Sequence, residues 1–201
     1  SLGLVGSEMC IRDRQQAIDY YDSVINNDIS RVDNVKRNPE KTKRLLRSYA
    51  RSIGTQSKIS SLSQDVNPSG DSEIASNPTI MDYIEALKKI FVLEDSRAWN
   101  PNLRSKTAIR TSDTRYFTDP SIAAAAMELG PDDLINDLNT MGFFFENLCI
   151  RDLRIYAESI NGSVYHYRDA NDLECDAVIH LRNGLYGLIA VSYTHLTLPT
   201  S

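Results

Sequence analysis

Apolar residues recur at three- and four-residue spacing through roughly the first 160 positions and then turn to strict alternation, the pattern of helices followed by a small sheet. Residues 15–27 place Ala17, Ile18, Tyr21, Val24 and Ile25 on one helical face. Asn38 as cap and Pro39 at the first position open a second helix with Leu45, Leu46, Tyr49, Ala50 and Ile53 inward and Gly54 as its stop. A short third helix carries Ile59, Leu62 and Val66. Asn77 and Pro78 start a longer one with Ile80, Tyr83, Ile84, Leu87, Ile90 and Phe91 on its apolar stripe, after which Val92 and Leu93 turn extended.

Beyond Asp119 and Pro120 the pattern predicts a helix over Ser121–Leu129 and another from Pro131 with Leu134, Ile135, Leu138 and Met141 inward. A last helix runs from the Phe143–Phe145 triplet to about Ile160, presenting Leu148, Leu153, Tyr156, Ala157 and Ile160. Three strands follow, over 163–168, 174–182 and from 185 onward. The last two are joined at Asn183 and Gly184, read as a two-residue turn with both residues at positive φ.

The three helices over 38–91, then extended segments at 91–93 and 106–110, give the element order of a winged helix. Charge adds to that expectation. The whole chain carries 22 Lys and Arg against 27 Asp and Glu, which excludes a uniformly basic coat, yet between Lys36 and Lys58 eight basic residues face Glu40 alone. Lys41, Lys43, Arg44, Arg47 and Arg51, with Arg104, Lys106 and Arg110 from the expected wing, are the candidate nucleic-acid contacts. The competing reading makes them a solvated helix face or a docking site for an acidic domain. The exposed side of the expected recognition helix, Asp82, Glu85, Lys88 and Lys89, is mixed in sign and argues for structural docking over base reading.

Alternation puts Glu174 and Asp176 on one face of the middle strand with Val178 and His180, and Glu146 stands on the preceding helix among aromatic residues. A helix carboxylate converging with strand carboxylates suits Mg2+, which takes oxygen ligands and keeps several waters. Glu146 and Asp176 are the candidate catalytic and metal residues, with Glu174 a third metal candidate. The structural alternative pairs Glu146 with Arg151 or Arg154 and has Asp176 hold a turn. Of the three cysteines, Cys10 lies in the N-terminal segment set aside below, and the widely spaced Cys149 and Cys175 offer neither a zinc spacing nor a disulfide framework, in keeping with a reducing compartment and a cytoplasmic protein that has no membrane partner.

The order helix with Glu, strand, strand with Asp resembles the PD-(D/E)xK nuclease fold. The stretches 45–56 (LLRSYARSIGTQ), 82–111 (DYIEALKKIFVLEDSRAWNPNLRSKTAIRT), 117–126 (FTDPSIAAAA) and 142–177, with GFFFENLCIRDLRIYA and LECDA, resemble the C-terminal domain that follows the ATPase module in prokaryotic AAA+-type ATP-binding proteins. The resemblance implies an α+β chain, a winged-helix-like helical region over 38–118 and a truncated nuclease-like αβββ unit over 119–190. It makes 15–37 the end of an upstream ATPase module or a linker helix. It also implies Glu at 190 and Lys at 192, where this chain has Ala190 and Ser192.

The termini supply a reason. Met9–Arg14 and Ala190–His195 admit codons that are reverse complements of one another and resemble a transposon end used in sequencing-library preparation, so 1–14 and 191–201 are expected to be adapter translations. No GxxxxGK[ST] occurs, so the expectation is a fragment without cofactor of its own, ATP belonging to the missing module and Mg2+ to the intact domain. The expected function is a DNA-binding, nuclease-like effector region that is inactive as truncated. The alternative is a non-catalytic module that docks its own ATPase domain or another protein.

Overall fold

The computed structural model describes residues 2–67, 75–101, 112–169 and 173–191 as an α+β chain. Helix α1 (Leu2–Ser23) runs through a π-helical turn (Val24–Asp28) into α2 (Ile29–Arg31), so the periodicity seen over 15–27 belongs to a longer rod. Helices α3 (Pro39–Arg51) and α5 (Asn77–Lys89) pack against it, and α4 (Ile59–Val66) packs against both of them. Asn38 caps α3 with its side-chain oxygen and a proline stands in the first turn of both α3 and α5, as the sequence signalled, whereas the cap of α5 is Ser76, one residue before the expected start at Asn77. Helices α6 (Pro120–Ala126), α7 (Pro131–Asn136) and α8 (Leu138–Ser159) lead to a three-stranded antiparallel sheet, β1 (Gly162–Arg168), β2 (Glu174–Leu181) and β3 (Tyr186–Ile189), in that order. No helix among the described residues is long and apolar enough to cross a membrane.

Three expected apolar faces are displaced in part. Phe91 is 77% exposed, because α5 ends at Lys89 and Phe91 takes a left-handed φ of 56° while Val92 bonds back to the Leu87 carbonyl. Ile135 and Leu138 are also exposed, because the chain breaks at Asp137, whose carboxylate caps a new helix by accepting from the Thr140 amide and hydroxyl. The aromatic triplet therefore lies inside α8, with Phe144 alone buried in the helical core. Tyr156 and Ile160, also expected inward, are exposed near its end.

Residues 92–96 run antiparallel to 114–118, with bridges at Leu93–Phe117 and Ser96–Thr114. The pairing joins two cores. Phe117 enters the helical core edge-on against Tyr49, ring centroids 5.9 Å apart, whereas Tyr116 packs with Ile150 of α8 and Ala177 of β2. Alternation along an extended strand delivers neighbouring side chains to opposite sides, and here each side is a different core. Asn147, fully buried on α8, holds this seam: it accepts from the Phe117 amide at 3.0 Å and donates to the Phe117 carbonyl at 2.8 Å. The expected wing segment 106–110 lies outside the described residues.

In the sheet, Tyr165 pairs with Val178 but Tyr167 with Cys175, so β2 spends three steps where β1 spends two. This bulge sets Asp176 and Ala177 both opposite His166 and overturns the simple alternation, which grouped Glu174 and Asp176 with Val178 and His180. The β2–β3 turn also differs: Gly184 alone has positive φ, and Leu181 bonds to the Leu185 carbonyl, giving a three-residue loop closed by a glycine bulge. Trp99 packs against Tyr186, Tyr167 and His180.

Asn147→Ala would leave a buried amide and a buried carbonyl without partners, each costing about 1–3 kcal/mol. Urea denaturation followed by circular dichroism is expected to show a loss of roughly 3 kcal/mol or more. A neutral Leu148→Met substitution on the same helix serves as the comparison.

Candidate functional site

A polar cleft of about 250 Å3 opens where the seam, α8 and the sheet meet. Glu146 enters from α8, Glu174 and Asp176 from β2, His166 and Arg168 from β1, and Tyr116 from the seam. The sequence-predicted trio is therefore brought to one place. The bulge is the physical reason, because it turns the β2 carboxylates out of the Val178 and His180 face toward the α8 side.

Glu146 does not pair with Arg151 or Arg154, the partners considered for it. Arg151 binds Asp152 and Asp119, and Arg154 sits 3.4 Å from Glu94. Glu146 Oε1 instead accepts from the Tyr116 hydroxyl at 2.5 Å. Burial, together with the Glu146 carboxylate, pushes the Tyr116 phenol far up, so it stays a donor. The Glu146 carboxyl is itself raised to about 7, first by burial and then by the negative charges of Asp176 and Glu174, against the pull of the Tyr116 hydrogen bond. Asp176 Oδ2 accepts from the Val191 amide at 2.7 Å, and Glu174 lies 3.4 Å from Arg168.

Gly54 does more than stop α3. At φ 70° it occupies the left-handed region, and a Cβ there would lie 3.1 Å from Glu146 Oε1 and 3.0 Å from the Phe143 ring. Its amide donates to the Arg115 carbonyl, so the same residue closes the helix, ties the seam and walls the cleft. His166, 3% exposed, has Nδ1 2.9 Å from the Ser96 carbonyl and Nε2 without a partner. Burial lowers its pKa despite the Ser96 carbonyl, which works the other way. Tyr116, His166, Asn147 and Gly54 were not singled out for this role from sequence. The one local signal was the polar pair Glu146–Asn147 inside an otherwise apolar helix stretch.

The expected completing positions lie elsewhere. Ala190 stands one step beyond the Ala177–Ile189 pair and lines a separate groove with Phe145, Cys149 and Val191, while Ser192 is outside the described residues. The basic residues are dispersed. Arg37, counted in the basic run, is 3% exposed and bound to Asp33, Asp82 and the Ile29 carbonyl. Lys43 lies 3.8 Å from Glu128, Arg44 reaches the Val66 carbonyl at 3.5 Å, Lys41 is half-buried, and Arg47 and Arg51 are exposed. Arg104, Lys106 and Arg110 fall outside the described residues.

A larger groove of about 520 Å3 between α1, α3 and α6–α7 is mainly apolar, lined by Ala17, Ile18, Tyr21, Ala124, Leu129 and Leu134 among others. Convergent titratable chemistry sits in the smaller cleft.

Residues 8–133 match a family described as a domain of unknown function (DUF8612). The chain belongs to that family. The DUF8612 match opens inside the segment expected to be adapter translation, and it carries no link to AAA+-type ATPases or PD-(D/E)xK nucleases. It contains Gly54, Thr114 and Tyr116 of the cleft, whereas Glu146, His166 and Asp176 lie C-terminal to it. No curated protein and no solved structure matches the DUF8612 chain.

The raised Glu146 carboxyl sets a pH dependence. Between 4.5 and about 7 the folded chain keeps a proton that the unfolded chain has released, so stability falls as pH rises through that window and levels off above it. The shift corresponds to on the order of 3 kcal/mol. Denaturation at several pH values is expected to show this decline in the native chain and its near absence in Glu146→Gln, which keeps an acceptor for Tyr116.

Proposed function

We propose that the chain is a nucleic-acid-binding, cation-dependent effector region with a nuclease-like cleft, part of a cytoplasmic AAA+-type ATP-binding protein, and that as written it binds without cleaving. The supporting observation is the convergence of Glu146 from α8 with Asp176 and Glu174 from β2 in one cleft.

The donor set suits Mg2+. That ion takes one or two carboxylates and completes its shell with water and substrate oxygens, so Glu146 and Asp176 would hold it with Glu174 at the margin. Among the described residues no three His, Cys, Asp or Glu side chains are placed to hold a metal ion together, so this reading rests on the Glu146 and Asp176 pair with water and substrate oxygens completing the shell. A bound divalent cation would polarise a phosphoryl oxygen. Tyr116 fixes one Glu146 oxygen and leaves the other, and the Glu146 pKa near 7 lets the cation compete with a single proton. Ala190 and Ser192 supply neither the carboxylate nor the ammonium of the resembled motif, so no side chain at those positions stabilises developing charge.

Helix α3 supports approach of a polyanion: Arg47 and Arg51 are exposed, and the helix ends three residues before cleft-lining Gly54. One observation favours the alternative of a protein-docking module, namely the apolar groove between α1, α3 and α6–α7.

Fluorescence anisotropy of a labelled DNA duplex at low salt is expected to show salt-dependent binding, with each of Arg47→Gln and Arg51→Gln lowering the salt slope by about 1. Mg2+ is expected to produce no cleavage. Absence of binding by folded protein at low salt would support the docking alternative, and cleavage by the chain as written would contradict the incomplete site.

A further inference from the structure

The apolar groove between α1, α3 and α6–α7 owes its depth to alanine. Ile122, Ala123 and Ala126 of α6 are buried in the helical core, which leaves the half-buried Ala124 and Ala125 to line the groove with Ala17 of α1. Short methyls at these places leave a hollow of about 520 Å3, walled further by Ile18, Leu129 and Leu134. That size and lining are those of a small-molecule site, which needs in addition a few polar groups to orient its occupant.

The charges that line it are unevenly placed. Lys43 is drawn to Glu128 at 3.8 Å, and Asp13 and Arg14 stand together at one end, where a Cβ on Gly130 would lie 3.5 Å from Arg14 Nη1. About two turns further along α1, roughly 12 Å at ~1.5 Å per residue, Asp22 lines the groove with a carboxylate that holds no ion pair among the described residues. The field at that end is acidic. The Tyr21 phenol is pushed up to about 12, first by burial and then by Asp22 and Glu128, with Glu40 adding to them and Arg47 opposing. Tyr21 is 5% exposed, and its buried hydroxyl lacks the hydrogen-bond partner that such groups normally have.

We propose that this groove binds an amphipathic amine, with its apolar body over Ala17, Ala124, Ala125 and Leu134 and its ammonium at the Asp22 end. A cation there meets an uncommitted carboxylate in an acidic field, whereas a carboxylate head would find Arg14 already beside Asp13. The groove is separate from the carboxylate cleft, so the proposal stands whether or not that cleft takes a metal ion or a nucleic acid.

The test uses the unaltered chain at neutral pH and low salt with naphthylethylamine as the probe, and naphthylethanol and naphthylacetate as its neutral and acidic counterparts. Anisotropy of the naphthyl fluorescence reads affinity, and carbon-13 shifts of the Ala124 and Ala125 methyls read location. The amine is expected to bind about fivefold more tightly than the alcohol, the acid more weakly than either, and both methyls to shift. Asp22→Asn, at an exposed position, is expected to bring the amine down to the level of the alcohol and leave the alcohol unchanged. Ala125→Leu, compared once its thermal melt shows a folded chain, fills the hollow and is expected to abolish binding of all three. Equal binding of the three, preference for the acid, or methyls that do not move would overturn the proposal. No binding of any of them would also overturn it and leave the groove to a protein partner.

Discussion

The Asp95 carboxylate accepts from the Tyr49 phenol, from Arg115 Nη1 at 2.6 Å and from Lys88 Nζ at 3.1 Å, in a place where its side chain is 2% exposed. Arg115 spends its remaining donors on the Ser57 carbonyl at 3.1 and 3.2 Å and lies over the Tyr49 ring. One buried ion pair thereby ties α3, the loop after it, α5 and both strands of the seam. A charge so buried is tolerable only when paired and hydrogen-bonded, and removing either partner costs about 3–5 kcal/mol in comparable sites. The geometry has a further consequence. Holding Arg115 in the helical core obliges its neighbour Tyr116 to face the other way, into the small core beneath the sheet, where it meets Glu146.

The cleft is thus built by elements far apart in sequence and held by contacts at both of their flanks. Asn147 grips the Phe117 backbone one residue after Glu146 reaches Tyr116, and Gly54 bonds to Arg115 while standing against Glu146. Glu146 is desolvated because these three contacts close around it. The DUF8612 match stops at residue 133, so the family domain supplies the wall and the tyrosine, and the chain beyond it supplies the carboxylates and the histidine.

The helical half was legible because its signals are local. The cap at Asn38, the prolines at 39 and 78 and the 3.6-residue stripe of α3 place Leu45, Leu46, Tyr49 and Ile53 correctly in the core. Phe91 and Leu138 were misplaced where a left-handed residue and the Asp137 cap ended a stripe that hydrophobicity alone would continue. Glu146 and Asp176 were legible as isolated carboxylates, but their meeting depends on a bulge that leaves no mark in the alternation of β2. Arg37 could not be separated from its basic neighbours by composition, since only the fold brings Asp82 to it across 45 residues. Tyr116 and His166 carry no motif, and both acquire their roles from the seam.

A carbon-13 titration of the Glu146 side-chain carboxyl by nuclear magnetic resonance tests the assembled cleft most directly. A midpoint near 7, moving down in Asp176→Asn as a neighbouring negative charge is removed, is the outcome this account requires. A midpoint near the ordinary 4.5 would mean that Glu146 is solvated and that the seam, α8 and the sheet do not close around it.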